Sequence, residues 1–200
     1  IIPYMFITPE YEKYFQPDTP IKIPARNLMF NGNTSNTIAV FHQTDSSCLR
    51  MLDSAYLYDP LLDEGSQRLI PMSDVSRIIP DPEPASPDTD IFGPEPAHTW
   101  CYFFQKADLA RQMKDWNKVI DLYRQAEQLG FTPKYGAEYI PFIEAFAQTG
   151  DWQTAYDLTI TAKELSQQQK RMLCANWYRF AELPSADPRM IDRVVQDLPC

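Results

Sequence analysis

Lys114-Asp115-Trp116-Asn117-Lys118-Val119-Ile120-Asp121-Leu122-Tyr123-Arg124-Gln125-Ala126 lines up with Gly150-Asp151-Trp152-Gln153-Thr154-Ala155-Tyr156-Asp157-Leu158-Thr159-Ile160-Thr161-Ala162, 36 residues downstream. Each copy has a turn ending in Asp, a Trp next to it, a small or β-branched residue three positions on, and an Ala ten after the Trp. Apolar residues three and four apart predict a helix in each copy. Asp115 and Asp151 stand where a side chain can accept a bond from the free N–H groups of a helix start. Ala126 and Ala162 leave room for two helices to approach closely.

Helical spacing continues on both sides. Met172, Leu173, Trp177 and Phe180 predict a further helix over 167–181, and Pro188 to Leu198 a final one. Between the copies Pro141 falls inside a predicted helix, where it has no N–H for the ladder. That helix therefore starts near Tyr139 or kinks there, and Gly136 with Tyr135, Tyr139 and Phe142 favours the late start.

Upstream of His98 the composition changes. Of 18 prolines, 13 lie in residues 1–97, which carry 6 Lys+Arg against 14 Asp+Glu; residues 98–200 carry 12 against 13 and hold all four tryptophans. Two structural units are expected. Residues 1–30, with Pro17, Pro20 and Pro24 around Ile21 and Ile23, predict an extended proline-rich arm with little regular structure. Residues 31–78 predict a small β element: a turn at Asn31-Gly32-Asn33, a strand over Thr37–His42, a partner over Cys48–Asp53 and a third strand at Ala55–Tyr58. Ser73 is expected to cap a short helix through Ile79. Residues 79–97, with six prolines and five acids, predict a stiff solvated linker, and 98–200 the helical domain.

A net charge of −9 over 200 residues disfavours nucleic acid or an anionic lipid surface as a partner. Hydrophobic content of 44% supports a real core and excludes wholesale disorder. No run approaches the roughly 18 to 20 apolar residues of a membrane span. The start at Ile1, without Met, is expected of a piece of a longer protein. Its aromatics, Tyr4, Phe6, Tyr11, Tyr14 and Phe15, suit either a membrane-proximal stretch or an arm packed on its own domain.

Little catalytic chemistry is in view. Only His42 and His98 exist, neither beside a nucleophile motif, and no phosphate-cradling glycine loop or H-E-x-x-H is present. No catalytic residue, metal site or cofactor is expected. Asp88-Thr89-Asp90 has the form of a metal-holding acid pair, but prolines surround it. Cys48, Cys101, Cys174 and Cys200 have no metal-ligand spacing. They permit three pairings, with buried free thiols the default; in an oxidising compartment Cys48 with Cys101 would staple the first half onto the first helix. Asn33-Thr34-Ser35 is a glycosylation sequon.

The two copies resemble the tetratricopeptide repeat, a helix hairpin of about 34 residues, over about 98–165. Tyr123 and Ala126 match its aromatic and Ala positions; Thr159 departs at the aromatic. Ala107 and Ile143 occupy the small-residue position of the first helices, where Ile143 is bulky. The fold implied is mainly α: a right-handed stack of tetratricopeptide-like α-α hairpins, preceded by the small N-terminal β element. The family's inner face falls on Phe104, Asp108, Arg111, Gln112, Ile140, Glu144 and Gln148. Such a face recognises a protein or peptide, although Asp108 and Arg111, three apart, also suit a simple pair on a solvated face.

The whole arrangement, with Cys-Leu-Arg-Met-Leu-Asp at 48–53 and Trp-Cys-Tyr-Phe-Phe-Gln-Lys-Ala-Asp-Leu-Ala at 100–110, resembles the soluble tail of bacterial multi-spanning membrane proteins of the glycosyltransferase type. That resemblance implies a non-catalytic interaction or assembly module outside the cytoplasm, touching the membrane only through a parent segment. The rival expectation is a glycan-binding or accessory domain, with Trp and Tyr stacking on sugar beside Asp108 and Glu144.

Overall fold

The computed structural model describes residues 12–43, 47–80 and 88–200. It is mainly helical, with two small antiparallel sheets. The quoted copies form α4 (Trp116–Gln128) and α6 (Trp152–Leu165), each preceded by a helix it packs against, α3 (Trp100–Gln112) and α5 (Ile140–Gln148). The two connecting turns close alike. The Asp115 N–H donates to the Ala110 carbonyl and the Asp151 N–H to that of Phe146, both at 2.9 Å. Lys114 (φ 59°) and Gly150 (φ 85°) hold the same left-handed position, which costs Gly little and Lys more. Asp115 then accepts from the Lys118 N–H and Asp151 from the Thr154 N–H, the expected caps.

The late start near Pro141 is observed. A 3-10 turn over Gly136–Tyr139 leads into α5 with Pro141 in its first turn, where a missing N–H breaks no helical bond. Gly136 is needed for closeness: a Cβ there would lie 2.7 Å from the Gln169 side chain and 2.9 Å from the Ala162 carbonyl. α7 (Lys170–Phe180) and α8 (Pro188–Asp197) complete the helical half. They also explain Thr159. Where Tyr123 meets Phe142 at 4.8 Å, Thr159 instead accepts the indole N–H of Trp177 at 2.9 Å, so α7 supplies the missing ring.

The first half differs from its expectation in several places. Residues 20–33 are not an extended arm: β1 (Pro20–Ala25) pairs with β2 (Leu28–Asn33) as an antiparallel hairpin turning at Arg26 and Asn27. The expected turn at Asn31-Gly32-Asn33 lies inside β2. The prolines are tolerated because a two-stranded sheet is all edge. The aromatic stretch from Ile1 to Tyr11 lies outside the described residues. Of the expected strand over Thr37–His42, β3 is only Val40–Phe41, and it pairs as foreseen with β4 (Arg50–Met51). The third strand is a 3-10 turn over Ser54–Tyr56 capped by Asp53, and Asp74, not Ser73, caps a 3-10 turn over Val75–Arg77. Ser73 instead accepts the Ala39 N–H. A short α1 (Glu64–Leu69) was not anticipated, and the linker contains α2 (Thr89–Phe92); its residues 81–87 lie outside the described set.

The two halves share one core. Leu52, Ala55, Tyr56, Leu62 and Ile70 belong to the same buried cluster as Phe104, Ile140, Phe142 and Trp177. Two disulfides replace the expected free thiols. Cys48–Cys101 ties the segment after β3 to α3, and Cys174–Cys200 ties the C-terminus to α7.

Candidate functional site

α3 and α5 place Phe104, Asp108, Arg111, Ile140 and Glu144 together, but inside the molecule: their exposures run from 0% to 9%. Gln112 and Gln148 are half-buried at the helix ends. What covers the face is the chain itself. Residues 53–56 lie across it, with Ala55 and Tyr56 fully buried.

Arg111 is the centre of this contact. Its Nε donates to Asp108 at 2.8 Å, one terminal nitrogen to Glu144 at 3.2 Å, and the other to Asp53 of the covering segment at 2.6 Å. The Tyr56 hydroxyl donates to Asp108 at 2.8 Å, and Gln112 to the same carboxylate at 3.3 Å. At the other end, Asn176 donates to the Ala55 carbonyl at 2.8 Å, Arg179 to Asn176 at 2.9 Å and to Ser54 at 3.2 Å, and Arg179 lies 3.4 Å from Glu144. Asp108 and Arg111 do pair, as their spacing suggested, yet on a buried face.

Burial sets the acid–base character of the group. It pushes the Asp108 carboxyl above its usual range against the pull of Arg111. It raises the Tyr56 hydroxyl well above its ordinary value, and the Asp108 charge adds to that. For Arg111 burial opposes the charge, but Asp108, Asp53 and Glu144 outweigh it and hold the guanidinium well above its normal value. Each polar atom of the triad around Arg111 faces a partner of opposite character, an arrangement that fixes orientation.

Two further buried ionic groups pin the same segment. Glu138, 1% exposed, accepts from the Cys48 N–H at 3.0 Å, the Trp100 indole at 2.8 Å and the Lys134 N–H at 3.0 Å. Arg50, fully buried, pairs with Asp59 and lies over the Phe41 ring at 5.0 Å. Sequence reasoning passed over Asp53, Tyr56, Asn176, Glu138 and the Arg50–Asp59 pair. The one usable signal was the cluster of charges in the apolar Cys48–Asp53 run.

Beside Glu138 lies an open cleft of about 610 Å³ lined by Ser47, Thr99, Trp100, Phe131, Thr132 and Lys134. The remaining motifs have local structural roles. Asp88 caps α2 through the Asp90 N–H. His98 stacks on Tyr102 with ring centroids 3.5 Å apart and lies 2.9 Å from Glu95. In the sequon, Asn33 accepts the Ser35 N–H and buried Thr34 donates to the Gln16 carbonyl at 2.6 Å. Among the described residues no group of three or more His, Cys, Asp and Glu side chains is arranged for a metal ion, and no helix is long and apolar enough to cross a membrane. No protein family, no curated protein and no solved structure matches this chain.

Proposed function

We propose that this chain is a non-catalytic assembly module of tetratricopeptide-like hairpins whose inner face is filled by its own N-terminal segment. The observation that carries this reading is the Arg111 centre. Side chains at the family's peptide-binding positions hold residues 53–56 as they would hold a bound peptide, through one guanidinium shared among Asp53, Asp108 and Glu144. The matched turns at Lys114 and Gly150 and the matched Asp caps support the repeat reading. Two disulfides support a place outside the cytoplasm, where the module would serve a larger bacterial membrane protein.

Because the inner face is occupied, a protein partner has to meet the outside of the molecule. Photo-cross-linkers at exposed Tyr178 and Leu129 in the full chain, in its native cells, test this. The expected product is one defined protein adduct from at least one position. A second reading, glycan binding, is favoured by the cleft beside Trp100. Saturable binding on a glycan array that is lost in Phe131→Ala, a partly exposed residue of the cleft lining, with an unchanged melting temperature and no protein adduct, would establish that reading in place of the first.

A further inference from the structure

The β1–β2 hairpin reverses the usual distribution of apolar side chains. Its register puts Ile21, Ile23, Leu28 and Phe30 on one face and Lys22, Asn31, Pro24 and Met29 on the other. Along the apolar face, exposure rises steadily towards the turn: Ile21 5%, Ile23 37%, Phe30 56%, Leu28 77%. Met29, beside the turn on the other face, is 56% exposed. The base is anchored: the Thr34 N–H donates to the Thr19 carbonyl at 3.0 Å, the Thr19 N–H to the Thr34 hydroxyl at 2.9 Å, and the Asp18 N–H to the Ser35 hydroxyl at 2.8 Å. A firmly held stem thus carries a bare apolar tip.

Charge singles out the same tip. The chain as a whole carries −9, yet from Thr19 to Thr44 it has no acid, and its two cations, Lys22 and Arg26, are both in this hairpin and both exposed. Leu, Met and Phe flanked by Lys and Arg fit a bilayer interface: the apolar groups enter the acyl boundary and the cations meet lipid phosphates. The dimensions agree. The last three residue pairs before the turn reach roughly 7 to 10 Å, against an interfacial layer about 5 to 8 Å deep on each side of a bilayer. Strand addition by a protein fits less well on one side, since Pro20 and Pro24 remove N–H donors from β1, the device by which edge strands resist pairing.

From the apolar gradient and the local positive charge we infer that the tip of this hairpin docks on a bilayer surface bearing anionic phospholipid headgroups. The hairpin is then a peripheral contact of the module itself, independent of any membrane span elsewhere in a parent chain and of what the helices bind.

The test is partition of the full 200-residue chain, disulfides intact, onto vesicles of phosphatidylcholine alone and with 30 mol% phosphatidylglycerol (roughly physiological anionic content) at low and high salt. Saturable binding is expected on the anionic vesicles, at least tenfold weaker on phosphatidylcholine and weakened by salt. The double variant Leu28→Ser, Phe30→Ser should lose about tenfold or more with an unchanged melting temperature. Lys22→Glu with Arg26→Glu should abolish the preference for anionic lipid, and Leu129→Ser, on the helical half, should bind as the native chain does. Phe30→Trp gives an independent reading: brominated lipid should quench its added fluorescence but not that of the native tryptophans. No partition, equal partition on both vesicles, or partition untouched by the hairpin variants would overturn the proposal. So would a concentration-dependent dimer that the same Leu28 and Phe30 changes dissolve, which would make a second copy the occupant.

Discussion

Residues 48–62 and residues 20–33 come from the same proline-rich half and both contribute to small antiparallel pairs, yet they place their side chains in opposite ways. The first buries charge: Arg50 and Asp59 are fully enclosed, and Asp53 meets a buried Arg111. The second exposes hydrocarbon: Leu28, Met29 and Phe30 stand in the open. What separates them is contact with the helices. The first segment is stapled by Cys48–Cys101 and met by Asp108, Arg111, Asn176 and Arg179, so Asp53, Ser54, Ala55 and Tyr56 find partners for their polar groups. The hairpin is anchored at its base, where Ile21 is buried, and towards the turn its apolar face stays exposed. Burial is decided by neighbours, not by the local sequence pattern.

Removing Arg111 should break the contrast most severely. Arg111→Met leaves Asp53, Asp108 and Glu144 without their common cation in a buried site, and breaking such a group costs about 3–5 kcal/mol. Thermal and urea unfolding should show the loss at pH 7, with partial recovery as the carboxylates protonate in acid. Opening the staple comes next. Cys48→Ala with Cys101→Ala, a pair 53 residues apart, should cost about 2–4 kcal/mol. Hydrogen exchange should show the loosening in residues 48–62 rather than in the hairpin. Glu138→Gln should follow at about 1–3 kcal/mol, because the amide keeps one acceptor oxygen and turns its NH2 toward either the Cys48 N–H or the Trp100 and Lys134 N–H groups, which are donors themselves.

The acid limb of the stability curve sharpens the comparison further. Burial raises the Asp108 carboxyl in the folded state, so the folded chain binds that proton more tightly than the unfolded one. Its contribution is therefore fully present below the ordinary Asp value and is lost as pH rises through the raised folded value. Asp108→Asn should remove that slope, seen as a flatter dependence of unfolding free energy on pH above the ordinary Asp range. The smallest effect belongs to the hairpin. Leu28→Ser should change stability by no more than about 0.5 kcal/mol, since the side chain has little contact to lose.

The helical half was legible because its signals are local. The Asp caps, the turn before each Trp, the start near Pro141 and the helices over 167–181 and 188–198 all follow from residues within a turn or two of one another. The β3–β4 pairing was legible from β-branched and aromatic residues around a polar turn. The β1–β2 hairpin was missed for a physical reason. Pro20 and Pro24 argue against a strand only if both its edges are paired, and here one edge is free. The site was half legible. The expected inner face named Asp108, Arg111 and Glu144, whose side chains do lie in hydrogen-bond contact, but nothing near them in sequence announces that Asp53 and Tyr56, more than fifty residues upstream of Arg111 and Asp108, lie on top of them.

By itself, then, the sequence determined where the helices start and stop and that the acidic, proline-rich half would be built differently, because capping, proline geometry and apolar spacing act over a few residues. The tertiary structure alone decided which surfaces remain open. A charged face became interior because a distant segment supplied matching partners, and the apolar tip of a hairpin became exterior because no element among the described residues covers it. Such outcomes depend on long-range pairing, which composition and spacing do not encode.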